Sequence, residues 1–333
     1  MSQQDLDATD QWGDATGAER WRFRLRETLL RSDALLDGLQ WLKSRERLLA
    51  ATQAGFGVVW MLAFLLAPLA YVLALSFWQR GAGGVVIQEF TYQNYHQILL
   101  ADVTLLSWEI NNLYLTILWQ SLKIGFLTTA TTLVVGYVPG YFLGRTTSRF
   151  RSILLLFVVL PFWVPLIIRY YAWILVLGNQ GVLQTVLTWA GVSSDGYLFT
   201  EIAVVTGLVQ VLLPFMILPI YNSVNKIDDS MIESAKTMGA GPLRAFYEVT
   251  LPLSLPGISA GSILVFILAV GSFMAPALLG GPANIMVANL ISQTFGAQFN
   301  WPLASAMAIV YLGALFVLIS AFNRFVGLEE VFE

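Results

Sequence analysis

Met231-Ile-Glu-Ser-Ala-Lys-Thr-Met-Gly-Ala-Gly-Pro-Leu-Arg-Ala-Phe-Tyr-Glu-Val-Thr-Leu-Pro252 lies in a polar loop between two long apolar segments. Its punctuation reads as two short helices around a glycine corner. Asp228 and Asp229 are placed to cap the first helix, and Glu233 is expected in its opening turn, where a negative charge suits the helix dipole. Gly239 stands where a left-handed C-terminal residue is wanted. Pro242 restarts the chain at a first-turn position, and Pro252 is expected to stop the second helix. Ile232, Ala235 and Met238 share one face of the first helix; Leu243, Phe246 and Val249 share one face of the second. An apolar-faced hairpin in a polar loop offers another body something to grip.

The flanking segments decide the class. The chain is 57% hydrophobic and 12% charged, with a mean hydropathy of +0.69, which places it among integral membrane proteins. With no cysteine, a disulfide framework, a thiolate metal site and a cysteine nucleophile are all excluded. Histidine occurs once, as His96, so neither a histidine metal cluster nor a serine-type triad can be built. There is no Gly-x-x-x-x-Gly-Lys-Ser/Thr stretch, so any ATP hydrolysis that drives this protein belongs to another chain. The net charge of -3 says nothing about nucleic acid, and no nucleic-acid partner is expected.

Residues 1 to about 18 are polar and acid-rich, with the composition of a disordered segment. From Glu19 to Ala50, leucines recur near helical spacing among arginines. That pattern fits an amphipathic helix on the membrane face and, equally, a solvated helix. The expected division is an N-terminal extension over 1–53, a six-span domain over 54–326 containing the polar loop 223–256, and a tail over 327–333. The spans are expected at 54–78, 116–143, 152–177, 199–222, 257–280 and 303–326, each reaching the ~20 residues that a bilayer requires. Arg and Lys concentrate before the first span, in 144–151 and in the 231–252 loop. The positive-inside rule therefore puts both termini and that loop in the cytoplasm. A short interfacial helix is expected near Val182–Trp189, and 79–111 reads as a docking surface or a lid.

Several spans carry proline: Pro68, Pro139, Pro161, Pro165, Pro214, Pro219 and Pro276. Each frees carbonyls that must be re-satisfied by neighbours or by a water-lined cavity, so kinked spans around a path are expected. Gly271-Ser272-Phe273-Met274-Ala275-Pro276 is the most suggestive break, and Phe273 and Met274 are candidates to line the path. Arg169 lies about 26 Å along the third span at 1.5 Å per residue. With Trp163 and Tyr170 nearby it reads either as a vestibule wall or as a side chain snorkelling to headgroups, and Lys123 has the same two readings. No span carries a carboxylate firmly at mid-membrane, Glu201 being at an edge.

The hairpin resembles the EAA loop of ATP-binding-cassette importer permeases: Glu-Ala-Ala, three residues, Gly, nine residues, Ile-x-Leu-Pro. The chain supplies Glu233-Ser234-Ala235, Gly239 and Val249-Thr250-Leu251-Pro252 at that spacing, with Ser234 for Ala and Val249 for Ile. Leu160-Pro161-Phe162-Trp163, Leu166 to Trp173, Ala277 to Pro282 and Trp301 to Ala306 look like the polyamine and opine branch, so the resemblance covers about 54–326.

The resemblance implies an all-α integral membrane protein with six transmembrane helices, similar to type I importer permeases, with a cytoplasmic coupling helix. It implies residence in a bacterial inner membrane beside lipid. Its partners would be a second permease, two ATPase subunits that hold ATP and Mg2+, and a periplasmic substrate-binding protein. The chain itself would hold no cofactor and be no enzyme. Glu233, Ser234, Ala235, Met238, Gly239, Phe246, Leu251 and Pro252 would form the coupling element, with Met238 and Phe246 as contact residues. The implied cargo is putrescine or spermidine, or else an opine or other small solute. A stand-alone secondary transporter would want buried ionisable residues in the spans, and an intramembrane enzyme would want paired carboxylates or histidines there.

Overall fold

The computed structural model describes residues 46–99, 112–147, 149–191 and 196–326. The expected N-terminal disorder and most of the amphipathic helix, the acidic part of 79–111, and the 327–333 tail lie outside them. Helix α1 (Glu46–Ser76) runs unbroken through Pro68 and across the expected 53/54 boundary. Contacts divide the chain within it, at Tyr71–Val72. The described part of the first unit is α1, exposed at every position from Gly57 to Tyr71, with Trp60 and Phe64 in ring contact at 5.0 Å.

Among its described residues the second unit is helical apart from one hairpin of two-residue strands, β1 (Gln79–Arg80) and β2 (Val86–Ile87), paired antiparallel. After it come α2 (Gln93–Leu99) and α3 (Asn112–Arg145). The next apolar stretch is α4 (Arg151–Val159), a 3-10 turn (Leu160–Trp163) and α5 (Leu166–Leu177). It is followed by α6 (Val182–Trp189), the expected short helix, and by α7 (Glu201–Asn225). The polar loop holds α8 (Asp229–Thr237) and α9 (Pro242–Ala245); a π-helical turn (Phe246–Thr250) leads straight into α10 (Leu251–Val270). A second π-helical turn (Pro276–Gly280), α11 (Val287–Gly296) and α12 (Trp301–Val326) complete the described chain. Six stretches among these residues are long and apolar enough to cross a membrane.

Two span boundaries differ from expectation. The third expected span is interrupted at Val164–Pro165, because Pro165 has no N–H to return to Pro161. The Pro161 carbonyl instead accepts from Val164 at 3.2 Å, and Val164 turns extended, as a residue before proline prefers. The fifth span does not run 257–280; its helix begins before 257 and ends at Gly271. By contrast α1, α3, α7 and α10 pass through Pro68, Pro139, Pro214, Pro219 and Pro256 without losing helical assignment. Proline content alone therefore overstated the number of breaks.

Helix α7 is the centre. It packs against α3 on one side and α10 on the other, and Val204, Leu208, Met216, Ile220 and Val224 along it are fully buried. Lipid tails are as apolar as leucine, so close backbone approach, more than hydrophobicity, must hold these helices together. Glycine provides it. A Cβ on Gly136 would meet Met216 at 3.1 Å, and one on Gly140 would meet Ile220 at 2.8 Å; Gly144 faces Val224 in the same stripe. From the other side Gly261 of α10 leaves 2.9 Å to the Met216 sulfur. A second, smaller core joins Ile98 of α2 to Leu303, Ala304, Ala306 and Met307 of α12.

Gly140→Leu should therefore wedge α3 off α7. Overpacking of this kind costs about 1–3 kcal/mol. Thermal melting in detergent should show a clear drop, whereas Gly313→Ala, at a position with nothing within 4 Å, should melt like the wild type.

Candidate functional site

The hairpin forms as its punctuation dictates. Asp228 caps α8 with its carboxylate accepting from the Ser230 N–H at 2.9 Å, and the Ser230 amide and hydroxyl hold that carboxyl below its ordinary range. Asp229 is the acid of the first turn; Glu233 lies one turn further on than the sequence suggested. Gly239 has φ +89°, and α8 closes with Gly239 N–H on Lys236 O and Ala240 N–H on Ala235 O, both at 3.0 Å, the paired bonds of a Schellman end. Gly241 and Pro242 open α9, and Arg244 pairs with Glu248 at 2.8 Å one turn on.

Pro252 does not stop the second helix. The turn before it widens, so that Leu251 N–H donates to Phe246 O, five residues back, and helix continues through the proline into α10. A π-helical turn accommodates a proline in its wake because the extra residue relieves the crowding of the preceding carbonyls. The second arm of the hairpin and the fifth span are one helical rod.

The rod is fastened to α3 by rings and a hydroxyl contact, and the first arm by charge. Phe246 lies edge-on to Tyr137 (5.9 Å) and Tyr141 (5.7 Å), which stack on each other, and the Tyr137 hydroxyl meets Ser254 Oγ at 3.1 Å. At the base, Arg145 forms an ion pair with Asp229 and donates to the Ile227 carbonyl at 3.2 Å. Arg151 holds α4 to α7 by a hydrogen bond to the Tyr221 hydroxyl and by lying over its ring at 4.7 Å. Ala235, Ala245 and Thr250 are buried beneath the hairpin, with Leu251 half-exposed behind them. Large apolar side chains face outward among polar ones: Met238 is 83% exposed, Leu243 74% and Tyr247 63%, with Glu233, Ser234, Lys236 and Pro252 also exposed. Phe246, expected as a contact residue, packs on its own chain against Tyr137 and Tyr141, while Leu243 points outward. Beside the hairpin an open cleft of about 520 Å³ runs between α7 and α10, lined by Asn222, Ser223, Lys226, Met231 and Gly257.

The residues proposed to line a path have three settings. Trp163 is 84% exposed beside the break in the third apolar stretch. Tyr170 is fully buried, its ring against Gly207, and Met274 packs half-buried on the same core. Phe273 is exposed and its carbonyl accepts from Asn289 at 2.7 Å. Arg169 has Nε and Nη1 buried without an acceptor among the described residues. Lys123, by contrast, is paired: its Nζ lies 2.6 Å from Glu201 Oε2. Sequence reading missed that pair because 78 positions separate its members. The glycine stripe on α3 was missed as well, although the four-residue spacing of Gly136, Gly140 and Gly144 is its visible signal.

Residues 133–328, which include the whole hairpin, match the family described as binding-protein-dependent transport system inner membrane component. The chain belongs to that family. Among similar proteins, the spermidine/putrescine transport system permease protein PotB of Haemophilus influenzae is 37% identical over 267 residues, covering 80% of this chain and 90% of that protein. PotB of Escherichia coli is 34% identical over 254 residues, covering 76% and 88%. A solved bacterial ABC transporter involved in import of the acidic polysaccharide alginate has a chain of the same fold, with a TM-score of 0.68 at 15% identity, covering 86% of this chain and 98% of its own. The protein is thus a multi-pass inner-membrane permease subunit, without an ATPase site of its own.

In this permease Arg145 is the strap at the hairpin base. Arg145→Met should free the 226–241 loop, and limited proteolysis should cut it several-fold faster with the melting temperature little changed.

Proposed function

We propose that this permease passes an aliphatic polyamine, putrescine or spermidine, across the inner membrane by alternating access, driven by ATP and Mg2+ on a partner ATPase. The similarity to PotB over most of both chains supports the cargo. The observation that carries the coupling is the hairpin itself: an exposed apolar tip of Met238 and Leu243 on a base strapped to α3 and continuous with α10. In this reading the tip seats in a groove of the ATPase, and Glu233, Ser234, Ala235, Gly239, Leu251 and Pro252 shape the element. Phe246 transmits its displacement to Tyr137 and Tyr141. Both termini and the hairpin are cytoplasmic. The complete importer contains a second permease, two ATPases and a periplasmic binding protein that makes the main selection, with Trp163, Arg169, Tyr170, Phe273 and Met274 near the path.

Co-purification tests the assembly. An ATPase and a second permease should be recovered with the tagged chain and lost when 233–252 is deleted from a still-inserted protein. Recovery of the chain alone, active in uptake without ATP, would point to a secondary transporter. Gly239→Asp addresses the coupling directly. A side chain at φ +89° strains the corner by roughly 1–2 kcal/mol while meeting nothing within 4 Å. The variant should insert normally and hydrolyse ATP, yet lose most polyamine uptake. Normal ATP-driven uptake would sink the assignment.

A further inference from the structure

A cluster of polar groups lies at the end of the central helices opposite the hairpin. Glu201 opens α7, and its Oε2 receives Lys123 Nζ of α3 at 2.6 Å. Gln120 Nε2, one turn before Lys123, lies 3.5 Å from the same oxygen and 3.3 Å from Asn284 Oδ1. Asn284 donates in turn to the carbonyls of Phe199 and Gly280, and Ser121 Oγ accepts the Val287 N–H at 2.8 Å. The α3 side chains of Lys123 and Gln120 thus meet on one carboxylate at the start of α7, and Gln120 ties it to Asn284 of a third segment.

Lys123 and Glu201 lie about 33 and 36 Å along their helices from Arg145 and Asn225 at 1.5 Å per residue. A hydrocarbon core about 30 Å thick ends close to that level. The pair therefore sits at the mouth of the bundle, with 45% of the lysine and 26% of the glutamate side chain exposed. Its neighbours on α3, Trp119 and Phe126, are exposed and apolar. Charges on such a face belong against a water-lined cavity or a protein neighbour, since lipid disfavours them. Stability gives little reason for the pair, because exposed ion pairs contribute little.

The chemistry of the lysine supplies a reason. Its side chain is a four-carbon stem ending in a primary ammonium, which is putrescine less one of its two ammoniums and matches the aminobutyl arm of spermidine. We propose that Glu201 is a recognition carboxylate for the terminal ammonium of the polyamine at the mouth of the path, and that Lys123 occupies it between transport events as a tethered surrogate. The proposal rests on the polyamine reading above. Exchange leaves the number of ion pairs unchanged, one ammonium leaving Oε2 as another arrives. A neutral or anionic solute has no such exchange available and leaves the clasp shut.

The test uses the assembled importer in proteoliposomes, with saturating binding protein, ATP on the ATPase side and labelled putrescine on the other. Glu201→Gln should lower uptake at least tenfold while all subunits still co-purify. Lys123→Met, which keeps the carboxylate, should transport at least as fast as the wild type. The neutral double variant Lys123→Met/Glu201→Met, in which no charge is left unpaired, should remain as impaired as Glu201→Gln. A merely structural clasp predicts the reverse: two impaired single variants and a rescued double. That result overturns the proposal, as does wild-type uptake in Glu201→Gln. Should Glu201→Gln fail to assemble, Lys123→Met still decides, because impaired uptake in that variant is incompatible with a surrogate role. A wild-type importer that moves neither putrescine nor spermidine would instead sink the polyamine reading itself.

Discussion

In a bilayer the hydrophobic effect inserts helices but gives them no reason to prefer one another, so the arrangement of this permease depends on how closely α7 can be approached. Glycines on two different helices reach it from opposite sides, and Met216 is touched by both Gly136 and Gly261. Packing at that distance leaves no slack, so α3, α7 and α10 behave as one block rather than three sliding rods. The ends of α7 are thereby fixed in space. Glu201 is held at one end and Tyr221 at the other, each within reach of a cation from a neighbouring helix.

The hairpin is an extension of that block. Its second arm is the beginning of α10, its first arm is strapped to the end of α3 through Arg145, and Phe246 sits between the two against Tyr137 and Tyr141. Aromatic edges and a charge-assisted bond are directional contacts, and they resist rotation of the hairpin about its base better than aliphatic packing alone. The basic residues that orient a membrane protein by simple count here also have mechanical employment. Arg145, Arg151 and Arg244 each have a named partner.

The hairpin and the six-span pattern were legible because both are written in local code. Gly239 and Pro242 punctuate at fixed offsets, and hydropathy needs only a window of about twenty residues. Pro252 misled for the same reason: a local rule stops a helix at proline, while here a π-helical turn over Phe246–Thr250 carries the chain past it. The surroundings of Tyr170 could not be read from its neighbours Trp163 and Arg169. One step along the helix from Arg169 turns it into the core against Gly207, a contact that no window on the sequence contains. The Lys123–Glu201 pair was invisible on the same ground, since two residues on different spans show no spacing that relates them.

The breaks that remain define where such a block can yield. Helix α10 is jointed by the widened turn at Phe246–Thr250 and ends at Gly271, and the third apolar stretch is interrupted at Val164–Pro165. Between these points the close-packed helices have no low-energy way to bend, so a displacement applied to the hairpin passes along α3 and α7 as rigid-body motion and is taken up at the joints. Helix α7 begins at Glu201, and Lys123 lies on α3 about three turns in from its start at Asn112, so both helices carry the clasp. The hairpin and the clasp are therefore carried by the same two helices, and in the proposed coupling a push on the hairpin reaches the clasp without any chain of intermediate side-chain rearrangements.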